Sequence, residues 1–215
     1  MNTTSKVAVI GLGNIGTAVA TNFVKGNRAV IVADRTSTKA NALAQQLGSL
    51  AQPLTIEEAI KEANIVVLAI WFNAMKEVLQ QYATELEGKI IVDPSNPIAP
   101  DENGGFKKII GEKESAGEIL SALLPTNAKL VKALGTLGVV SLTNATFQQP
   151  KNVLFYATND TGINGEIEQL IQDAGFEPVH VGGLDQSIRI EVFGDLHEFG
   201  ALGKTVTKNE AIAKL

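Results

Sequence analysis

Short apolar runs alternate with helix-spaced apolar positions through the first half of the chain. Residues 7–10 are unbroken Val, Ala and Ile, the mark of a parallel strand covered on both faces. Ile15, Val19, Phe23 and Val24 then recur at helical spacing up to the turn at Gly26-Asn27, and residues 29–33 make a second strand. The same beat continues with a helix over 39–47 closed by Gly48 and a short helix over 56–63. A strand over 65–70, a helix over 74–86 and a strand over 89–92 follow. Strands alternating with helices in this way predict right-handed βαβ units and an α/β, doubly wound parallel sheet.

The beat breaks at residues 93–100, which hold three prolines, and at the Gly104-Gly105 pair. This composition predicts a loop, with 99–114 as a mobile insertion. Ser115 and Glu118 have the spacing of a capping box that opens a helix through Leu124. A strand is expected over 129–134, then a strand–helix–strand unit over 153–157, 166–174 and 178–181. Ile190, Val192, Phe193, Leu196 and Phe199 suggest a helical tail from Asp185 onward. A soft boundary near 148 gives a main unit, residues 1–148, and a small C-terminal α/β extension, residues 149–215, on the same sheet.

The turn after the first strand reads Gly11-Leu-Gly-Asn-Ile-Gly16. A glycine loop between a strand and a helix, inside a βαβ unit of about 30 residues, fits the Rossmann dinucleotide fingerprint. Gly11 permits the tight turn, Gly13 lets a pyrophosphate approach the backbone, and Gly16 lets helix and strand pack close. The N–H groups of Leu12, Asn14 and Ile15 lie where the helix dipole favours the ligand's negative charge. The second strand ends at Asp34-Arg35-Thr36-Ser37. Asp34 at that position suits the ribose hydroxyls of NAD(H). Arg35 suits adenine and a 2′-phosphate, with Thr36, Ser37 and Lys39 as further donors. NADP(H) is favoured and NAD(H) remains the alternative.

In such a sheet the ligand lies across the carboxyl ends of the strands. Ala69, Ile70, Trp71, Phe72, Asn96 and Pro97 are therefore expected around the nicotinamide half, with Leu134, Gly135 and Thr136 towards a second substrate. Trp71 and Phe72 can wall a flat ring or serve the core. Asn96 can bond the carboxamide or ribose, or form a turn before Pro97. The only histidines are His180, in an expected strand, and His197, which can contact substrate or belong to a polar cluster with Arg189, Glu191, Asp195 and Glu198. Hydride transfer between stacked rings asks for positioning at about 3–3.5 Å rather than for acid–base side chains.

Composition narrows the classes. The net charge is −5 with no basic block, which argues against nucleic acid or an anionic membrane as partner. With no cysteine, thiolate nucleophiles and Cys-based metal sites are excluded, and no His/Asp/Glu spacing suggests a metal. The first six residues lack a signal-peptide layout, and the longest apolar run, residues 65–72, is far below the roughly 18 needed to span a membrane, so a cytoplasmic protein is expected.

The ordered segments VAVIGLGNIG, VVLAI, KIIVDPSNP, SAGEILSALLPTNAKLVKAL and VLFYATND…IEQLIQDAGFEPVHVGGL resemble the NADP oxidoreductase, coenzyme F-420-dependent family, and the reductase domain of the STEAP metalloreductases. That resemblance implies an NAD(P)-binding Rossmann fold and a hydride passed between NADP(H) and a flavin or deazaflavin, a small-molecule redox acceptor. It also implies a homodimer. It places the NADP 2′-phosphate on Arg35 and Lys39, helped in the family by a Thr and a Ser where this chain has Leu12 and Asp34. The family's Lys-Ala-Phe-Asn-Thr is here Lys132-Ala-Leu-Gly-Thr136. Two other readings stand beside this one: a reductase of small imines or hydroxyacids, which commonly adds a long helical domain, and a non-catalytic NADP(H)-binding redox sensor.

Overall fold

The four-residue apolar runs become strands because both of their faces are covered. The structure is a computed structural model that describes residues 5–215, so the reading of Met1 to Thr4 lies outside it. Its strands are β1 (Val7–Ile10), β2 (Val30–Ala33), β3 (Ala51–Pro53), β4 (Ile65–Leu68), β5 (Ile90–Asp93), β6 (Ile98–Pro100), β7 (Phe106–Lys108), β8 (Lys129–Lys132), β9 (Val153–Tyr156) and β10 (Glu177–His180). Its helices are α1 (Asn14–Lys25), α2 (Ser37–Leu47), α3 (Ile56–Glu62), α4 (Phe72–Gln81), α5 (Ala116–Ser121), α6 (Val139–Asn144), α7 (Asn164–Asp173), α8 (Ser187–Ile190) and α9 (Lys208–Ile212).

Six strands form one parallel sheet in the order β3-β2-β1-β4-β5-β8. The strand order reverses between β1 and β4, which opens a crevice at their carboxyl ends. Alternate residues divide between two cores. Val7, Val9, Ile65 and Val67 pack with Val19 and Phe23 of α1, Leu43 of α2 and Ile167 of α7. Ala8, Ile10, Val66 and Leu68 pack with Ile60 of α3, Met75 and Leu79 of α4 and Leu120 of α5. This is the Rossmann-like sheet with helices on both faces that the pattern predicts.

Four segments differ from expectation. The C-terminal strand–helix–strand unit does not lengthen the main sheet: β9 and β10 pair in parallel in a sheet of their own. β9 meets the edge strand β8 running the other way, so a single antiparallel bridge joins them, Lys132 with Ala157, with both N–H···O distances 2.9 Å. Residues 99–114 are not a featureless insertion, because β6 and β7 form an antiparallel hairpin that pairs Ile98 with Lys108 and Pro100 with Phe106. Gly104 and Gly105, at φ +90 and +77, make its turn. The helix expected over 74–86 starts at Phe72 and ends at Gln81. The helical tail is four residues long; beyond α8 the chain folds back on itself, and a Cβ on Gly200 would stand 1.8 Å from the Gly194 carbonyl. The tail's apolar residues mimic helical spacing but serve separate surfaces, with Leu196 buried and Phe193 and Phe199 exposed.

One core is shared across the boundary near residue 148: Leu154 and Tyr156 join the core of α1, while Val153 and Phe155 pack with Val179, Ile190 and Leu196. Truncating the fully buried Leu154 to Ala should therefore destabilise the whole chain by about 2–5 kcal/mol. Urea unfolding followed by circular dichroism and by the fluorescence of the single tryptophan, Trp71, should show one coincident transition. Two separated transitions would make the C-terminal unit independent.

Candidate functional site

The glycine loop is built around two contacts that admit no side chain. A Cβ on Gly16 would lie 1.8 Å from the Gly11 carbonyl oxygen, and one on Gly11 would lie 2.6 Å from the Ala69 carbonyl oxygen. Gly11 also sits at φ +90. Gly13 is different, because a Cβ there would meet nothing within 4 Å. The protein itself gives no reason for glycine at 13, whereas a group lying against the backbone from outside does. Gly13 is the N-cap of α1, and it provides no side-chain cap; the first turn holds no acidic residue. An open N-terminus on a 12-residue helix is suited to an anion. By contrast, Thr55 and Glu58 close α3 with a capping box.

Asp34 is half-buried. Its carboxylate accepts the Leu12 N–H at 2.8 Å and the Thr36 N–H at 2.9 Å, so each oxygen is held by backbone and keeps a further lone pair for a ribose hydroxyl. The first of these bonds removes Leu12 from the ligand contacts: its N–H is taken and its side chain is buried. Arg35, Thr36, Ser37 and Lys39 are all exposed around the start of α2, which likewise has no side-chain cap and no acidic residue in its first turn. Exposed cations beside a carboxylate engaged by backbone N–H groups fit a 2′-phosphate. Gly13, Asn14 and Ile15 would hold the pyrophosphate of NADP(H), and Arg35 with Lys39 its 2′-phosphate.

At the carboxyl edge Ala69 and Ile70 abut the glycine loop. The next two side chains part company. Phe72 is core, 1% exposed among Met75 and Leu79, yet it also contributes to the wall of the cavity that Trp71 lines. Trp71 is 60% exposed and lines a cavity of about 220 Å³ with Ile98, Ala99, Pro100 and Ile109 from the hairpin. Pro97 is buried. Asn96 is a clamp rather than a ligand contact: its amide donates to the Gly135 carbonyl at 3.2 Å and its oxygen accepts the Val192 N–H at 2.7 Å. Leu134 is buried at φ +64, and Gly135 must lack a Cβ because one would stand 2.3 Å from the Pro94 carbonyl. Thr136 is buried, and its hydroxyl has no hydrogen-bond partner among the described residues.

The tail locks this edge. Phe199 N–H donates to His197 Nδ1 at 3.0 Å, which places the ring proton on Nε2, and Nε2 donates to the Gly135 carbonyl at 3.0 Å. Burial, with Lys132 acting in the same direction, pushes His197 down to about 4. It is therefore a neutral strut, not a substrate contact, and it stands apart from the exposed Arg189–Asp195 pair. Glu198 accepts the Gly138 N–H at the start of α6, and Glu191 accepts the Ala116 and Gly117 N–H groups at the start of α5. Beneath them lies a buried group that sequence reasoning missed. Lys132 Nζ is 2.9 Å from Asp93 and 3.8 Å from Glu191, and it also donates to the Ser95 carbonyl. Burial pushes the Glu191 carboxyl up, opposed by Lys132 and the two backbone donors. The only sequence signal was Lys132 itself, which follows two apolar residues in β8 and opens the segment Lys132 to Thr136.

Two outcomes follow. Arg35→Ala should weaken NADP(H) by about 1–3 kcal/mol and leave NAD(H) nearly unchanged in calorimetric titration; equal losses for both would remove the phosphate role. His197 has a folded pKa below its ordinary value of 6.5, so between pH 6.5 and about 4 the unfolded chain takes up a proton that the native one refuses. Its contribution to stability is intact above pH 6.5 and is lost as pH falls through that window, by roughly 2–3 kcal/mol. Glu191 is shifted up and acts with the opposite sign, so the measurement is the difference between wild type and His197→Gln in urea unfolding at pH 7 and pH 4.5. A difference that does not shrink at the lower pH would refute the assignment.

Residues 6–97 match the model of the family described as NADP oxidoreductase, coenzyme F420-dependent. Metalloreductase STEAP3 of Rattus norvegicus is 26% identical over 186 residues, covering 86% of this chain and 36% of that protein. F420-dependent NADP reductase of Methanocaldococcus jannaschii is 29% identical over 103 residues, covering 44% of this chain and 46% of that protein. The matched segments thus span less than half the length of either relative. Among solved structures, a hypothetical protein of Sinorhizobium meliloti superposes with a TM-score of 0.81 at 26% identity, covering 95% of this chain and 96% of that one. A reductive aminase of Aspergillus terreus in complex with NADPH shares the fold at a TM-score of 0.61 and 22% identity, over 86% of this chain and 57% of that one. Residues 6–97 are thus similar to the NADP oxidoreductase, coenzyme F420-dependent family, and the chain is similar over part of its length to an F420-dependent NADP reductase and to metalloreductase STEAP3.

Proposed function

We propose that the protein is an NADP(H)-dependent oxidoreductase that passes a hydride to a planar ring acceptor of the flavin or deazaflavin class. The observation that carries this reading is the character of the carboxyl edge. Its titratable groups, Asp93, Lys132, Glu191 and His197, are all buried and hydrogen-bonded within the protein, which leaves none of them to donate or accept a proton at a reacting atom. Around them stand three aromatic side chains that are more than half exposed: Trp71 at 60%, Phe193 at 52% and Phe199 at 59%. Val192, beside Phe193, is bonded to Asn96, and Glu198, beside Phe199, is bonded to Thr136, so the tail's backbone that carries these two rings is tied to the carboxyl edge.

A bound NADP(H) supplies the hydride; the chain supplies position. The loop of Gly11, Gly13 and Gly16 fixes the pyrophosphate end, the exposed cations at α2 fix the adenosine end, and the locked backbone at Leu134 to Thr136 forms a rigid far wall. Rigid walls and flat faces suit two stacked rings held at about 3–3.5 Å. An imine or hydroxyacid reductase would use a proton donor at the substrate heteroatom, and the buried groups do not offer one.

The test is NADPH oxidation with lumiflavin, riboflavin, FMN and a deazaflavin, run beside a panel of imines and hydroxyacids. Turnover is expected with the ring acceptors alone. Tight NADPH binding without turnover on any ring acceptor would favour the sensor reading, in which the same module binds nucleotide and alters a partner's affinity.

A further inference from the structure

We propose that the cavity between Trp71 and the β6–β7 hairpin is a selectivity pocket for the apolar edge of the acceptor's fused ring system, so that the enzyme recognises the ring and ignores the tail attached to it. The inference rests on the ring-acceptor reading above.

Three features of the cavity lead there. The first is position. Ile70 forms part of the wall of the glycine loop, and Trp71, the next residue, lines the cavity. Neighbouring Cα atoms lie about 3.8 Å apart, so the cavity opens one residue from the nucleotide cleft. The second is chemistry. Trp71, Phe72, Ile98, Ala99, Pro100 and Ile109 are apolar, Asn73 is the one polar lining side chain, and no charged side chain lines it; the nearest cation noted is Lys76, whose Nζ stands 4.2 Å from the Phe72 ring. The walls themselves offer a phosphate or carboxylate tail no charged partner, whereas an aromatic edge finds aromatic and aliphatic walls. The third is size. At about 220 Å³ the cavity falls below the roughly 300 Å³ at which pockets begin to enclose whole drug-sized ligands. It takes one or two fused rings at an edge and leaves the remainder of a tricycle outside, over the cleft.

The hairpin that closes the cavity is held independently of any ligand. Asp101 accepts the Asn103 N–H at 2.9 Å at its turn, and Ile109 N–H donates to the Pro97 carbonyl at 2.9 Å at its base. Lys108 turns away to bond the carbonyls of Glu112 and Glu114. The wall is therefore preformed, and the acceptor need not order it.

The experiment compares KM and kcat for lumiflavin, riboflavin and FMN, which share a ring and differ in tail, in wild type, Trp71→Ala and Ile109→Asp. Both positions are partly exposed, so both variants should fold. Trp71→Ala should raise KM about tenfold, by the same factor for all three acceptors, with kcat changed much less. Ile109→Asp, which puts a carboxylate into the cavity, should do the same. Unchanged KM values, or a loss confined to FMN, would overturn the proposal. Calorimetric binding of lumiflavin in the presence of NADP+ separates this inference from the activity it rests on. If wild type turns over no ring acceptor, the functional reading falls, and binding that Trp71→Ala abolishes would still support the pocket. Lumiflavin binding that Trp71→Ala leaves intact would end it.

Discussion

The site depends on backbone approaching backbone where α1 leaves β1. Gly16 stands so close to the Gly11 carbonyl that a single methyl group would separate the helix from the strand end. Asp34 then ties the loop to the end of β2 by taking the Leu12 N–H. With that bond and the one from the Thr36 N–H made, part of the carboxylate's charge is met by backbone donors, and the cations that follow it lie exposed. These two hydrogen bonds shape the loop and its rim.

Helix starts show the same division of labour. The helices after β1, β2 and β4 begin at Gly13, Thr36 and Trp71 without a side-chain cap and without an acidic residue in the first turn. Other starts are closed by boxes at Thr55 and Thr207, while α7 and α8 begin without a side-chain cap. The tail reaches across to cap α5 with Glu191 and α6 with Glu198. Uncapped N–H groups are costly unless something else meets them. The starts after β1, β2 and β4 are open at the carboxyl ends of the main sheet.

Much of this was legible in the sequence, for physical reasons that also mark where legibility stopped. Buried parallel strands declare themselves because both faces must be apolar, so β1, β2, β4 and β5 could be read directly, and the glycine spacing fixed the loop. β3 escaped because a three-residue edge strand carries no such run. The tail misled because Ile190, Phe193, Leu196 and Phe199 fall at helical spacing while the chain turns sharply at Phe193, φ +74, and at Gly194. That Asp34 would also tie down the Leu12 and Thr36 N–H groups was not legible, because residue type at a strand end says nothing about which way a carboxylate turns. The Asp93–Lys132–Glu191 group was invisible for a similar reason: its members are 39 and 59 residues apart and meet only when β8 pairs with β5 and the tail folds over both.

The acceptor edge also shows how a departure from a family pattern can be structural. Where the family has Asn, this chain has Gly135, and its backbone lies against Pro94 at a distance no Cβ allows. Its carbonyl accepts from Asn96 at 3.2 Å and from His197 at 3.0 Å, two donors from different parts of the chain converging on one oxygen. A carbonyl held twice cannot swing, and Leu134 is kept in the left-handed region beside it. The edge is thus made of fixed backbone where a side chain would have supplied adaptable hydrogen bonds. Such a wall offers fixed shape, and the exposed rings of Trp71, Phe193 and Phe199 stand on the elements that border it.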